Sequence, residues 1–224
     1  MKDYQYILFD LDGTITESGP GIMNSVEYAL NRLGIDVGDR DGLRRFIGPP
    51  LLDSMMQFYG TSREEAERGV VYYREYYAEK GIFENTVYDG VEEMLGQLKR
   101  AGRTVALATS KPENYARRIL EHFGLMSYFD AVCGATMDSS RIKKGDVIRY
   151  TLQTLQVPET EKSRVLMVGD REHDVQGAAQ NSLDVLGVLY GYGTEEELKK
   201  AGVTYLAHTP RETACMILGG QGNE

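Results

Sequence analysis

The stretch YQYILFDLDGT, residues 4–14, sets an apolar, aromatic-rich run directly against an acidic turn. Residues 4–9 have the composition of a strand buried on both faces, and such strands belong to parallel sheets. The pattern recurs in TVALAT (104–109) and RVLMVG (164–169), which run into the polar clusters SKPEN and DREHD. DVLGVLYG (184–191) predicts a fourth strand and TYLAH (204–208) a fifth. Helical stripes lie between them. Val91, Met94, Leu95 and Leu98 recur at helical spacing before Gly102. Pro112 reads as a first-turn proline, with Ala116, Ile119, Leu120 and Phe123 behind it and Gly124 as the stop. Val147, Ile148, Thr151, Leu152 and Leu155 form another stripe. Strands alternating with helices predict an α/β fold with a parallel sheet flanked by helices.

Residues 15 to about 85 break that alternation. They carry no convincing strand and several helical stretches, among them Ile22, Val26, Leu30 and Leu33 ahead of Gly34, and the long segment 63–80. The expected organisation is a core of residues 1–16 and 86–224 with a helical domain, 17–85, inserted after the first strand.

A chain of 224 residues suits a core with a modest insert. Its net charge of −9 argues against a nucleic-acid polymer as partner, since that recognition needs lysine and arginine against phosphates. It does not exclude a small phosphorylated ligand in a locally positive site. Cys133 and Cys215 lie in no C-x-x-C motif and read as reduced thiols of a cytoplasmic protein. The apolar run at the N-terminus is too short for a signal peptide. No run approaches the ~18 apolar residues of a membrane span. There is no phosphate loop of the G-x-x-x-x-G-K-[ST] type and no G-x-G-x-x-G after the first strand.

In an open parallel sheet the ligand crevice lies at the carboxyl ends of the strands, so clusters far apart in sequence converge there. In the first, Asp10 ends the strand, Asp12 lies two residues on, and Gly13 permits a tight turn. Two carboxylates this close call for a cation or a shared proton. The second holds Thr109 and Ser110, which taken alone read as a helix N-cap. The third is Lys143-Lys144-Gly145-Asp146, ahead of a helix. The fourth runs from Gly169 to Asp174. His173 sits there among acidic residues, but His122 and His208 lie elsewhere and no H-x-x-x-H pair exists, which disfavours a transition-metal site.

D-x-D-G-T after the first strand resembles the first motif of the haloacid dehalogenase superfamily, in its phosphatase branch. The resemblance implies that Asp10 is the nucleophile and Asp12 the general acid and base. Ala108-Thr109-Ser110 resembles the second motif, which points to Thr109 as a phosphoryl contact with Ser110 beside it. The third motif supplies one lysine. Many relatives carry a proline after it and this chain does not, so Lys143 and Lys144 both qualify; Lys144, nearer the helix start, is favoured. G-D-x-x-x-D resembles the fourth, which implies Mg²⁺ held by Asp10, Asp170 and Asp174 with the main-chain carbonyl of Asp12. The helical insert is similar to a C1-type cap, in which Arg45 and Gly48 are candidate substrate contacts along with Gly13 of the core. GVLYGYGTEEELKKAG and FIGPPLLDS look like the phosphoglycolate phosphatase-like and 5′-nucleotidase-like subgroup.

The expected activity is Mg²⁺-dependent hydrolysis of a small phosphomonoester, of nucleoside 5′-monophosphate or phosphoglycolate type, through an aspartyl-phosphate. A phosphoryl dianion beside Asp10, Asp170 and Asp174 brings more negative charge than one lysine balances, which is why a divalent cation is required. The alternatives are a phosphomutase of the β-phosphoglucomutase type and a non-catalytic binding protein on the same fold. Tyr72, Tyr73, Tyr76 and Tyr77 make two i,i+4 pairs, read as packing rather than as a platform for a base.

Overall fold

Apolar segments of four or five residues become strands here because they are buried on both faces. A computed structural model describes residues 1–138 and 140–219. In chain order the elements are β1 (Tyr6–Phe9), β2 (Thr16–Glu17), α1 (Gly19–Arg32), α2 (Leu51–Tyr59), α3 (Arg63–Glu79), β3 (Thr86–Val87), α4 (Val91–Arg100), β4 (Thr104–Pro112), α5 (Glu113–His122), β5 (Ala131–Ala135), α6 (Lys144–Thr154), β6 (Val165–Gly169), α7 (Glu172–Gln180), β7 (Asp184–Val188), α8 (Glu195–Ala201), β8 (Tyr205–Ala207) and α9 (Pro210–Ile217). The chain divides into two compact units, one of Met1–Thr16 with Val87 onward, the other Glu17–Thr86.

The first unit is built on a six-stranded sheet in the order β5-β4-β1-β6-β7-β8. Every neighbouring pair is parallel. From β1 the sheet grows one way through β4 and β5, then the chain returns to β6 on the other side of β1 and grows outward again. The reversal makes a switch point at the end of β1, the place where open α/β sheets bind ligands. Phe9 is in register with Leu107 and Val168, which brings Asp10, Thr109 and Asp170 to within two residues of one level, while β4 itself runs on to Pro112. On one face Leu8, Ala106, Ala108 and Met167 pack with Val147 and Ile148 of α6 and Val175 and Ala178 of α7. The alternate strand residues Ile7, Phe9, Val105, Leu107 and Leu166 are equally buried. That two-sided burial produces the continuous apolar strands.

Two details differ from expectation. The strand β5, AVCGA, is not among the expected strands: it carries small residues with little β propensity, yet all five are buried and four of them are in register with β4. Pro112 is not the first turn of a helix: β4 runs through it, and it becomes the N-cap of α5. A proline pushes the residue before it into extended conformation, which carries the strand through Lys111.

The second unit is helical. The Ser62 side chain accepts from the Glu65 N–H, and Glu65 returns to the Ser62 N–H, a capping box that starts α3. Tyr73 stacks on Tyr77 with centroids 5.2 Å apart, Tyr76 lies 5.5 Å from Tyr28, and the Arg32 guanidinium covers Tyr72 at 4.4 Å. The tyrosines of α3 pack within this unit. Among the described residues, no helix is long and apolar enough to cross a membrane. Cys133 and Cys215 are free thiols.

Candidate active site

The Asp10 N–H donates to Val168 O at 2.9 Å, so the first acidic residue is still held by the strand ladder when the chain turns away. The turn closes through Ile15 and Thr16, whose N–H groups both donate to Leu11 O at 2.9 Å. Gly13 sits at φ +83, and a Cβ there would overlap the Asp170 carboxylate. Only glycine meets both demands.

Asp170 follows β6 and is fully buried. Its Oδ2 accepts from the Tyr192 N–H at 2.7 Å and its Oδ1 from the Thr14 hydroxyl at 3.3 Å. Asp174 stands in the first turn of α7, where its Oδ2 accepts from the Arg171 N–H at 3.1 Å. Asp10, Asp170 and Asp174 each bring a carboxylate oxygen into a group whose members lie within 4.8 Å of one another. Lys144, the first residue of α6, reaches this trio with its Nζ 2.7 Å from Asp10 Oδ1 and 2.9 Å from Asp174 Oδ1, and donates to Ala108 O at 3.1 Å. Lys143 is only the N-cap of that helix.

Three carboxylates thus face one ammonium, leaving two negative charges in excess. The consequences are visible in the proton affinities. Burial raises Asp170 well above the usual carboxylate range, and Asp174 and Asp10 push it further. Asp174 is raised chiefly by burial, against the opposing pull of Lys144. Burial alone would lower Lys144, but Asp10 and Asp174 more than offset it and the ammonium ends above an ordinary lysine. A divalent cation would remove the imbalance, and carboxylate oxygens are the hard donors that Mg²⁺ takes. The donor set fits such an ion.

The other expected residues are distributed as follows. Thr109 is buried, and its hydroxyl oxygen accepts from the Lys111 N–H at 3.2 Å, leaving its own proton to donate. Ser110 is half-buried beside it. Asp12 stands outside the trio: its Oδ2 lies 3.0 Å from Lys111 Nζ. Arg45 and Gly48 belong to the helical unit, where the Arg45 guanidinium lies 4.4 Å from the Phe58 centroid. Lys111 is the residue the motifs did not single out. Its signal is Gly134 on β5, where a Cβ would come within 2.6 Å of Lys111 O. A bare backbone there lets the end of β4 press close.

The haloacid dehalogenase-like hydrolase family matches residues 7–188 of the chain. A 5′-nucleotidase of Pseudomonas aeruginosa is 44% identical over 196 residues, covering 88% of this chain and 87% of that one. The tyrosine-protein kinase PtkA of Mycobacterium tuberculosis is 41% identical over 206 residues, 91% of this chain and 68% of its own. The crystal structure of a predicted phosphatase from Clostridium acetobutylicum superposes with a TM-score of 0.91 at 46% identity, covering 96% of this chain and 99% of that one.

Proposed function

The chain belongs to the haloacid dehalogenase-like hydrolase family and is a phosphatase, and we propose that it hydrolyses a small phosphomonoester with Mg²⁺ through an aspartyl-phosphate on Asp10. The observation that carries this reading is the excess of carboxylate over ammonium around Lys144, placed where a nucleophile, a cation and an anionic substrate would meet.

In the first half-reaction a carboxylate oxygen of Asp10 bonds to phosphorus while the bond to the leaving oxygen breaks. Asp12 gives that oxygen its proton, a contribution worth ~10²–10⁴-fold. In the second, Asp12 takes a proton from water as the water oxygen bonds to phosphorus, and inorganic phosphate leaves Asp10 free. Thr109 donates its hydroxyl proton to a phosphoryl oxygen, with Ser110 and the turn at Gly13 completing the cradle. Lys144 balances charge beside Asp10 throughout. Asp10, Asp170 and Asp174, with the main-chain carbonyl of Asp12, would hold Mg²⁺, which would supply the positive charge that a dianion needs to approach these carboxylates. Two free thiols support a cytoplasmic location.

The identity with the Pseudomonas 5′-nucleotidase favours a nucleoside 5′-monophosphate, with phosphoglycolate next. A phosphate-release screen with Mg²⁺ tests this by comparing kcat/KM across 5′-nucleotides, phosphoglycolate and hexose phosphates. Inorganic phosphate released from plain monoesters is the expected product. A phosphoryl group recovered on a sugar or on a protein tyrosine, without inorganic phosphate, would contradict hydrolysis.

A further inference from the structure

Asp10 and Asp12 are two residues apart in one turn, yet each faces a different lysine. Lys144, from the start of α6, lies at Asp10 Oδ1. Lys111, from the end of β4, lies 3.0 Å from Asp12 Oδ2, with side-chain exposures of only 5% and 14% for the lysine and the aspartate. The other oxygen, Asp12 Oδ1, is buried and has no hydrogen-bond partner. The β4–β5 register shifts between Ala108 and Pro112, an irregularity that re-aims side chains at the strand end.

We propose that Lys111 is a positioning residue whose ammonium holds Asp12 Oδ2, so that Oδ1 is the oxygen that carries the proton. The inference rests on the aspartyl-phosphate reading and deepens it. Two neighbouring carboxylates acquire different tasks because their surroundings differ. With Oδ2 engaged by Lys111, Asp12 is turned away from the trio of Asp10, Asp170 and Asp174, and Oδ1 points at no protein donor. In the first half-reaction the Oδ1–H bond breaks as the leaving oxygen takes the proton and separates from phosphorus. In the second, Oδ1 accepts a proton from water as the water oxygen joins phosphorus and the Asp10–phosphorus bond breaks.

The test is the dependence of kcat/KM on leaving group in Lys111→Met and Lys111→Arg. p-Nitrophenyl phosphate releases a phenolate that needs no proton, whereas a nucleoside 5′-monophosphate releases an alkoxide that does. Lys111→Met is expected to lose roughly 10- to 100-fold more on the nucleotide than on p-nitrophenyl phosphate, part of what a positioned acid supplies. Lys111→Arg, which keeps the charge but moves it, should fall between. Each ratio comes from one protein preparation, so any unfolded fraction cancels. In an Asp12→Asn background, Lys111→Met should leave the ratio where Asp12→Asn alone puts it. Equal losses on both substrates, as a phosphoryl contact or a structural lysine gives, would overturn the proposal, as would no loss on either. If the unaltered protein releases phosphate from neither compound, it is the phosphatase reading that fails, and this inference falls with it.

Discussion

The core unit places a charge cluster at each end of its sheet, and the two are built to opposite specifications. At the carboxyl ends of β1 and β6, three carboxylates meet one ammonium and Asp170 is pushed well above the normal carboxylate range. At the other end, Asp184 opens β7 and accepts from the Lys2 ammonium and the Tyr4 hydroxyl, both at 2.6 Å. Tyr4 also reaches the Tyr205 hydroxyl at 3.3 Å. Burial raises the Asp184 proton affinity, but Lys2 and Tyr4 outweigh it and the carboxyl ends below its ordinary value. One cluster is balanced by the protein alone; the other holds more carboxylate than its single ammonium balances. A balanced charge cluster serves the fold, whereas a buried, unbalanced one marks chemistry.

Substitution of Asp10 probes this contrast hardest. Asp10→Asn should lower kcat by roughly 10³-fold or more, as loss of a covalent nucleophile does, while leaving the thermal midpoint unchanged or higher because crowded carboxylates are relieved. A fall in midpoint without loss of turnover would erase the distinction between the clusters. Next in size is the metal: excess chelator should abolish phosphate release and Mg²⁺ should restore it.

The two clusters should also respond to pH with opposite sign. In chelated protein the folded state holds a proton on Asp170 after the unfolded chain, with its ordinary value of 3.8, has lost it. Stability should therefore fall as pH rises above about 4 through the raised range, and Mg²⁺ should flatten that slope. Asp184 is lowered, so its contribution is present above its ordinary 3.8 and is lost as pH falls through its depressed value. Melting curves from pH 3 to 8, with and without Mg²⁺, separate the two. Asp184→Asn should leave kcat unchanged and cost about 1–2 kcal/mol, chiefly from the Tyr4 hydroxyl, because Lys2 is 60% exposed and screened. The smallest effect belongs to the helical unit: Ser62→Ala should remove about 1 kcal/mol of cap stability without changing turnover of p-nitrophenyl phosphate.

The strands β1, β4 and β6 were readable because two-sided burial demands uninterrupted apolar runs, and the acidic turns behind two of them needed no structure to stand out. The strand β5 was not readable: Ala131, Gly134 and Ala135 carry no strand signature, and their place is set by what packs on them. Of the two candidate lysines, Lys144 lies where the helix start delivers it to Asp10, which spacing could favour but not decide. Lys111 was hidden for a different reason. A lysine after Thr-Ser and before proline looks like a solvated turn. Its burial follows from the strand continuing through Pro112 and from the direction in which Asp12 leaves its own turn.

The aspartyl-phosphate is the most direct target. With protein in excess over a radiolabelled monoester, rapid acid quenching, borohydride reduction and peptide mass spectrometry locate any acyl phosphate. The expected result is transient labelling at Asp10, lost in Asp10→Asn. Phosphate released at the normal rate with no acyl phosphate at Asp10, or with the label on another side chain, would contradict it.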